Sequence, residues 1–173
     1  MEWTTELRYK RYEDWTEEEK KQIKENMANS PWHTHYHVEP KTGLLNDPNG
    51  FSYFNGKWIL FYQNFPFGAA HGLKSWVQLE SDDLVHFKET GLKVLPDTPL
   101  DSHGAYSGSA MQFDDKLFLF YTGNVRDENW IRHPYQIGAL LDQNGNLEKI
   151  DQILIDQPED ATDHFRDPQI FKF

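Results

Sequence analysis

The feature that most constrains this chain is an internal repeat of about 60 residues, somewhat longer than the common solenoid and propeller repeats. Residues 54–62 align with residues 113–121, and each copy holds a two-residue turn followed by an apolar run that ends in Phe-Tyr. Asn-Gly at positions 55–56 is a strong hairpin signal. Each copy has room for two further strands, and four strands per repeat make one blade of a β-propeller. No long amphipathic pattern follows Pro31, so we predict an all-β fold: a partial β-propeller of about two blades plus the start of a third.

The N-terminal part of the chain has a helical sequence pattern instead of a strand pattern. Thr16 and Glu19 have the spacing of a capping box, which predicts a short helix from about Glu17 to Met27. We expect this helix to pack on the outside of the fold. The predicted organisation is therefore a helical extension over residues 1–31 and part of a β-propeller over residues 32–173.

The repeat also aligns three polar dipeptides. Asp47-Pro48, Ser107-Gly108 and Asp167-Pro168 are equally spaced along the chain, one repeat apart. In a propeller, equivalent positions at the start of the innermost strands face one central funnel, where ligands bind. The sequence therefore predicts that two distant carboxylates meet in one cavity.

Taken singly, each of these dipeptides has a plainer interpretation. Pro48 restricts the backbone of Asp47 and could aim a nucleophile, but Asn, Asp, Pro and Gly also make ordinary turns. Arg166 could hold a substrate hydroxyl or keep Asp167 ionised, or the two could form a surface ion pair. Ser107 lacks the Gly-x-Ser-x-Gly context of a serine nucleophile, so we interpret it as a hydroxyl contact.

Composition excludes several classes of function. The formal charge of −11 argues against nucleic acid and against a polybasic membrane surface site. The absence of cysteine removes disulfides and thiolate metal sites. His33, His35 and His37 would share one strand face, which could indicate a metal, but packing and hydrogen bonding are favoured because only Glu39 is near. We predict no metal and no cofactor, and the lack of an apolar leader predicts a cytoplasmic location.

Five motifs occur in an order that resembles glycoside hydrolase family thirty-two. They are residues 46–50 (Asn-Asp-Pro-Asn-Gly), 61–63 (Phe-Tyr-Gln), 81–87 (Ser-Asp-Asp-Leu-Val-His-Phe), 106–109 (Tyr-Ser-Gly-Ser) and 166–168 (Arg-Asp-Pro). The resemblance covers about residues 32–173 and implies a five-bladed propeller followed by a β-sandwich. The polar extension and the Gly-Leu-Leu-Asn-Asp form look most like the bacterial intracellular sucrose-6-phosphate hydrolases of this family.

The resemblance also implies roles for individual residues. Asp47 matches the family's nucleophile, and Asp167 matches its transition-state stabiliser. The matching substrate-binding positions are Leu44, Leu45, Asn46, Gln63, Trp76, Tyr106, Ser107 and Arg166. Tyr106 stands where the family usually has Phe.

The family's general acid/base is a Glu followed by Cys in a later motif. This chain has no cysteine, so we expect it to be an N-terminal part that needs the missing blades and is inactive alone. Asp127 or Glu128 is the one stand-in that the chain offers.

The implied activity is retaining cleavage of the fructosyl bond of sucrose or sucrose 6-phosphate, with a small sugar as substrate. A fructan hydrolase or a fructosyltransferase is the alternative within the family. A non-catalytic carbohydrate-binding propeller and a purely structural aromatic-rich β domain are alternatives of other classes.

Overall fold

The computed structural model describes residues 2–172. The N-terminal part holds helix α1 (Thr5–Arg8), a 3-10 turn (Tyr12–Asp14) and helix α2 (Glu17–Ala28). Eight strands follow: β1 (Leu44–Phe54), β2 (Lys57–Phe65), β3 (Ser75–Ser81), β4 (Phe87–Val94), β5 (Ala105–Phe113), β6 (Lys116–Arg126), β7 (Arg132–Leu141) and β8 (Leu147–Lys149). None of the helices in this part of the chain is long and apolar enough to cross a membrane.

The strands form two four-stranded antiparallel sheets, ordered β1-β2-β3-β4 and β5-β6-β7-β8. Each sheet is one copy of the repeat, so the predicted all-β propeller fold is confirmed. The first hairpin turns at Asn55 and Gly56, whose φ angles of 49° and 78° are both positive, as a type I′ turn requires. The equivalent turn of the second sheet has Asp114 at φ 50°.

The main core lies between the two sheets. Trp76 on β3 is fully buried, and its ring lies 5.3 Å from Phe61 and 5.7 Å from Tyr121 of the second sheet. Burial of these large rings supplies much of the hydrophobic stabilisation that holds one blade against the next. Strands β1 and β5 lie side by side, which places the starts of the innermost strands at one end of the molecule.

Helix α2 begins as the sequence predicts. Glu19 N–H donates to Thr16 Oγ1 at 3.2 Å, and Thr16 N–H donates to Glu19 Oε2 at 2.8 Å. These two reciprocal bonds complete the capping box. Just before the helix, the buried Trp15 stacks on Phe67 at 4.4 Å and fixes the extension on the first sheet. The division of the chain at residues 31 and 32 stays a prediction.

Residues 166–172, predicted to open a third unit, run beside β5 without forming a regular strand. Ser109 Oγ donates to Pro168 O at 2.9 Å and accepts from Ile170 N–H at 2.9 Å. Asp167 N–H donates to Thr122 Oγ1 at 2.9 Å. Side chains of the second sheet therefore hold this segment in place of the hydrogen-bond ladder that a strand needs.

Candidate active site

Asp47 lies on a break in the pairing between β1 and β2. The register shifts between Asn46 and Pro48, and Asp47 has a φ of 41°. Asp167, its equivalent two repeats later, has a φ of 63°. A left-handed backbone at a non-glycine residue costs on the order of 1–3 kcal/mol. The repeat equivalence of the two aspartates therefore extends to an unusual backbone conformation, which aims both side chains at the same end of the propeller.

A set of polar neighbours holds the carboxylate of Asp47. Ser107 Oγ donates to Asp47 Oδ2 at 3.0 Å, and Gln63 Nε2 donates to the same oxygen at 3.2 Å. Gln63 also contacts Ser107 directly and accepts from Asn46 Nδ2 at 3.2 Å, which fixes the orientation of its amide. No residue in the described part of the chain donates to Oδ1. One oxygen is thus held in place while the other keeps its lone pairs for a reacting partner.

Both aspartates line one polar cavity of about 420 Å³. That volume falls within the range of small-molecule sites. The cavity collects positive charge although the chain is acidic overall. Its cationic lining residues are Arg8, Lys74, Arg126, Arg132 and Arg166. Asp47 and Asp167 are its acidic lining residues, so the cavity has a net positive lining.

The pKa of Asp167 is raised above its ordinary value of 3.8. Partial burial is the main cause, Arg166 opposes it, and the charge of Asp47 adds to it. Arg166 Nε lies 3.5 Å from Asp167 Oδ2, so the ion pair expected from the sequence is present. Arg166 lowers the pKa of Asp167, as the sequence indicated, and so does Lys74, but burial and the charge of Asp47 outweigh the two cations.

Lys74 is the most perturbed cation of the cavity. Burial lowers its pKa to about 8, although the carboxylates of Asp47 and Asp167 favour its charged form. Its Nζ lies 5.5 Å from the centre of the Tyr106 ring. Burial and the neighbouring Tyr9 raise the pKa of Tyr106 to about 12, so this phenol stays protonated at neutral pH.

Five of the expected substrate-binding residues are found around the cavity. Asn46, Gln63, Tyr106 and Arg166 line it, and Ser107 lies behind Asp47 as a hydrogen-bond donor.

The side chains of the other three do not line this cavity, and their role as substrate contacts stays a prediction. Trp76 is fully buried and donates from Nε1 to Tyr106 O at 3.0 Å, so it supports the wall of the cavity from behind. Leu44 packs against the cluster of Trp15, Phe65 and Phe67. Leu45 packs against Tyr62, Val77 and Leu79.

Two further sets of sequence candidates lie away from the cavity. Asp127 accepts hydrogen bonds from Asn129 N–H and Ile131 N–H, which makes it a turn residue, and Glu128 is exposed beside it. His33 Nδ1 lies 3.0 Å from Glu39 Oε2. Within residues 2–172, no group of three or more His, Asp or Glu side chains is arranged to hold a metal ion.

Apart from Arg166, the cations of the cavity were not predicted from the sequence. Three of them lie at the connections between the second and third strands of the sheets, at the same end as Asp47. Lys74 lies between β2 and β3, and Arg126 and Arg132 flank the loop between β6 and β7. The strand order of a blade places those loops at the mouth of the cavity. Their charged residues could therefore have been predicted to line it. Arg8 and Tyr9 precede the repeat, and no pattern in the sequence connects them with the cavity.

The fold and the cavity together define a class. Blades of a β-propeller carry at their mouth a carboxylate, Asp47, that is held by hydrogen bonds on one oxygen, with Asp167 in the same cavity. A carboxylate held in this way is suited to the nucleophile of a retaining glycosidase. The family model for the glycosyl hydrolases family 32 N-terminal domain matches residues 37–173. The chain belongs to this family.

Similar proteins agree with this assignment. The chain is 72% identical over 167 residues to sucrose-6-phosphate hydrolase of Streptococcus mutans, covering 96% of this chain and 35% of that protein. The structure of sucrose-6-phosphate hydrolase from Lactobacillus gasseri superposes with a TM-score of 0.96 at 52% identity, covering 99% of this chain and 35% of that one. A mutant of the Bombyx mori β-fructofuranosidase BmSUC1 in complex with sucrose gives a TM-score of 0.74 at 31% identity, covering 92% and 35%. The chain thus spans about a third of the length of these proteins.

Proposed function

We propose that the whole protein hydrolyses the fructosyl bond of sucrose 6-phosphate, with sucrose as a slower substrate, and that it retains the anomeric configuration. The observation that carries the proposal is the arrangement around Asp47. Its carboxylate is held on one oxygen by Ser107 and Gln63, and it shares a cavity with Asp167. The names of the relatives support the substrate class.

The chemistry assigned to these residues is a double displacement. Asp47 attacks the anomeric carbon of the fructosyl unit, and the bond to the glucose oxygen breaks through an oxocarbenium-like transition state. The glucose oxygen takes a proton from a general acid, which the family resemblance places in a later motif. Water then hydrolyses the fructosyl ester, and its proton returns to the same group. Asp167 accepts hydrogen bonds from fructosyl hydroxyls and stabilises the positive charge of the transition state.

The charge of the cavity favours a phosphorylated disaccharide over a neutral fructan. Five cationic side chains surround two carboxylates in a chain whose formal charge is −11. Desolvated cations are costly to maintain unless an anion compensates them. A substrate phosphate carries close to two negative charges at neutral pH and would supply that compensation.

Rates on three substrates test this function. The whole protein is expected to cleave sucrose 6-phosphate fastest, sucrose more slowly and inulin least. Proton NMR of the first product should detect the β-anomer of fructose before mutarotation. Faster turnover of inulin would favour the fructan hydrolase alternative, and sugar binding without turnover would favour the non-catalytic one.

Replacing Asp167 with Asn is expected to lower kcat/KM for sucrose 6-phosphate by about 10²–10³-fold, because the variant loses a preorganised charge at the transition state. Asn tolerates a left-handed backbone, so the fold should persist. Asp151→Asn, an exposed position away from the cavity, is the matched control and should keep the rate of the wild type. A variant within threefold of wild type would contradict the role of Asp167.

The preference for the phosphorylated substrate should depend on pH through Lys74. Its pKa of about 8 means that Lys74 is cationic below pH 8 and loses its charge as the pH rises through that value. The ratio of kcat/KM for sucrose 6-phosphate to kcat/KM for sucrose is therefore expected to fall above pH 8. Lys74→Met should remove this inflection, whereas Lys88→Met, an exposed change on β4, should keep it. A ratio that stays constant from pH 6.5 to 9.5 would contradict the prediction.

The cytoplasmic location stays a prediction.

A further inference from the structure

The N-terminal residues 3–12, called the N-terminal strap here, cross the mouth of the cavity. On the side of the first sheet, Leu73 N–H donates to Arg8 O at 2.7 Å, and Tyr12 Oη donates to Leu73 O at 2.9 Å. A Cβ on Gly72 would clash with Arg8 O, so this close approach requires glycine. Arg8 is thereby fixed beside the loop that carries Lys74.

The strap is also fixed on the second sheet. The ring of Tyr9 lies 5.1 Å from Trp130 and 5.8 Å from His103. Arg11 Nη1 donates to Ser102 O at 3.0 Å. The strap therefore joins both sheets across the end of the molecule where Asp47 lies, and it is a wall of the cavity rather than a loose tail.

Arg8 projects into this cavity with an unsatisfied donor. It lines the cavity together with Asp47, and its Nε is buried without a hydrogen-bond partner among the described residues. Arg126 and Arg132 line the same cavity, but their guanidinium groups also donate within the chain, from Arg126 Nη1 to Trp130 O at 2.8 Å and from Arg132 Nη1 to Asp163 O at 3.4 Å. The guanidinium of Arg8 makes no side-chain hydrogen bond among the described residues, so its donors are left for an anion that enters the cavity from outside the chain.

We propose that Arg8 is a specificity-determining residue, which binds the phosphate on the leaving hexose of the substrate. The inference rests on the proposed function. The fructosyl unit lies at Asp47 in that function, so the leaving hexose occupies the remainder of the cavity, where the strap forms the wall. A guanidinium offers two parallel donors that match a phosphate, which an ammonium does not.

The position of Arg8 in the chain supports this assignment. The family domain matches residues 37–173, so Arg8 lies outside it, whereas Asp47 and Asp167 lie within it. The shared chemistry of the fructosyl unit is thus carried by the blades, and recognition of the leaving group is carried by a segment added in front of them. Arg8 and Lys74 also lie near the same histidine: the pKa of His71 is lowered mainly by Lys74, then by partial burial and by Arg8, while Asp47 opposes the shift.

Steady-state kinetics of the whole protein on both sugars test the proposal. Arg8→Met is expected to lower kcat/KM for sucrose 6-phosphate by roughly 10- to 100-fold, mainly through KM, and to lower the ratio to sucrose by a similar factor. Arg8→Lys keeps the charge but loses the paired donors. Its ratio of kcat/KM for sucrose 6-phosphate to kcat/KM for sucrose should therefore lie between those of the wild type and Arg8→Met. Lys10→Met removes a cation two residues away that pairs with Glu19 outside the cavity, and it should leave both rates as in the wild type.

The outcomes separate the two proposals. A wild-type protein that hydrolyses neither sugar would contradict the proposed function itself. Hydrolysis of both sugars with a ratio changed less than twofold in Arg8→Met would contradict the role of Arg8 alone, and so would an equal loss on both substrates. If Arg8→Met does not fold, an unchanged ratio in Arg8→Lys decides against the proposal.

Discussion

Replacing Asp47 with Asn should abolish turnover of both sugars, with kcat/KM falling by about 10⁴- to 10⁶-fold, the range expected when a covalent nucleophile is lost. The amide has nearly the same shape as the carboxylate and can still accept from Ser107 and Gln63 at its oxygen. The left-handed backbone at this position suits Asn at least as well as Asp. The loss should therefore be chemical, with the thermal stability of the protein close to that of the wild type.

Asp114→Asn is a closely matched control for this experiment. It makes the same chemical change at another left-handed position, φ 50°, in the exposed turn between β5 and β6. Its activity and stability should equal those of the wild type. Retention of more than a tenth of the activity in Asp47→Asn would remove Asp47 from the mechanism and would favour the structural interpretation of the chain.

The second large effect is expected in the core. Trp76→Ala should lower the free energy of unfolding by about 3–5 kcal/mol. The change empties the space between Phe61 and Tyr121, and it leaves Tyr106 O without its donor. Chemical denaturation of the whole protein, followed by tryptophan fluorescence, would measure this loss.

Two variants give this result its meaning. Trp76→Phe keeps most of the ring and loses only the N–H, so it should cost less than Trp76→Ala. Trp58→Ala makes the same truncation at a half-buried ring that stacks on Phe51 at 5.6 Å, and it should cost less than half as much. Unchanged stability in Trp76→Ala together with a raised KM would instead make Trp76 a substrate contact, as the family resemblance implied.

The sequence predicted those parts of the fold that depend on residues close together in the chain. Asn55-Gly56 identifies a hairpin because few residue pairs accept two positive φ angles, and Thr16 with Glu19 identifies the start of α2. The equal spacing of the three polar dipeptides predicted that Asp47 and Asp167 line one cavity, because a repeated blade places equivalent residues around one axis.

What the sequence left out depends on contacts between distant segments. Arg8 lies in front of the repeat and meets Leu73 far along the chain, so no periodicity could indicate the contact. The pKa of Asp167 depends first on its burial, and then on Arg166 and Asp47. The repeat places Asp47 nearby and Arg166 is adjacent in the chain, but the sequence does not show the burial. Trp76 lies on a strand that is buried on both faces, where alternation gives no sign of which side meets the cavity.

The left-handed backbone at Asp47 and Asp167 has a consequence for how these positions vary over time. Glycine and asparagine relax more easily than aspartate into that conformation, so selection for folding alone would steadily replace both acids. Under the proposed function, selection for turnover preserves them. In copies of this domain freed from metabolic demand, these two aspartates should therefore be among the first residues to drift.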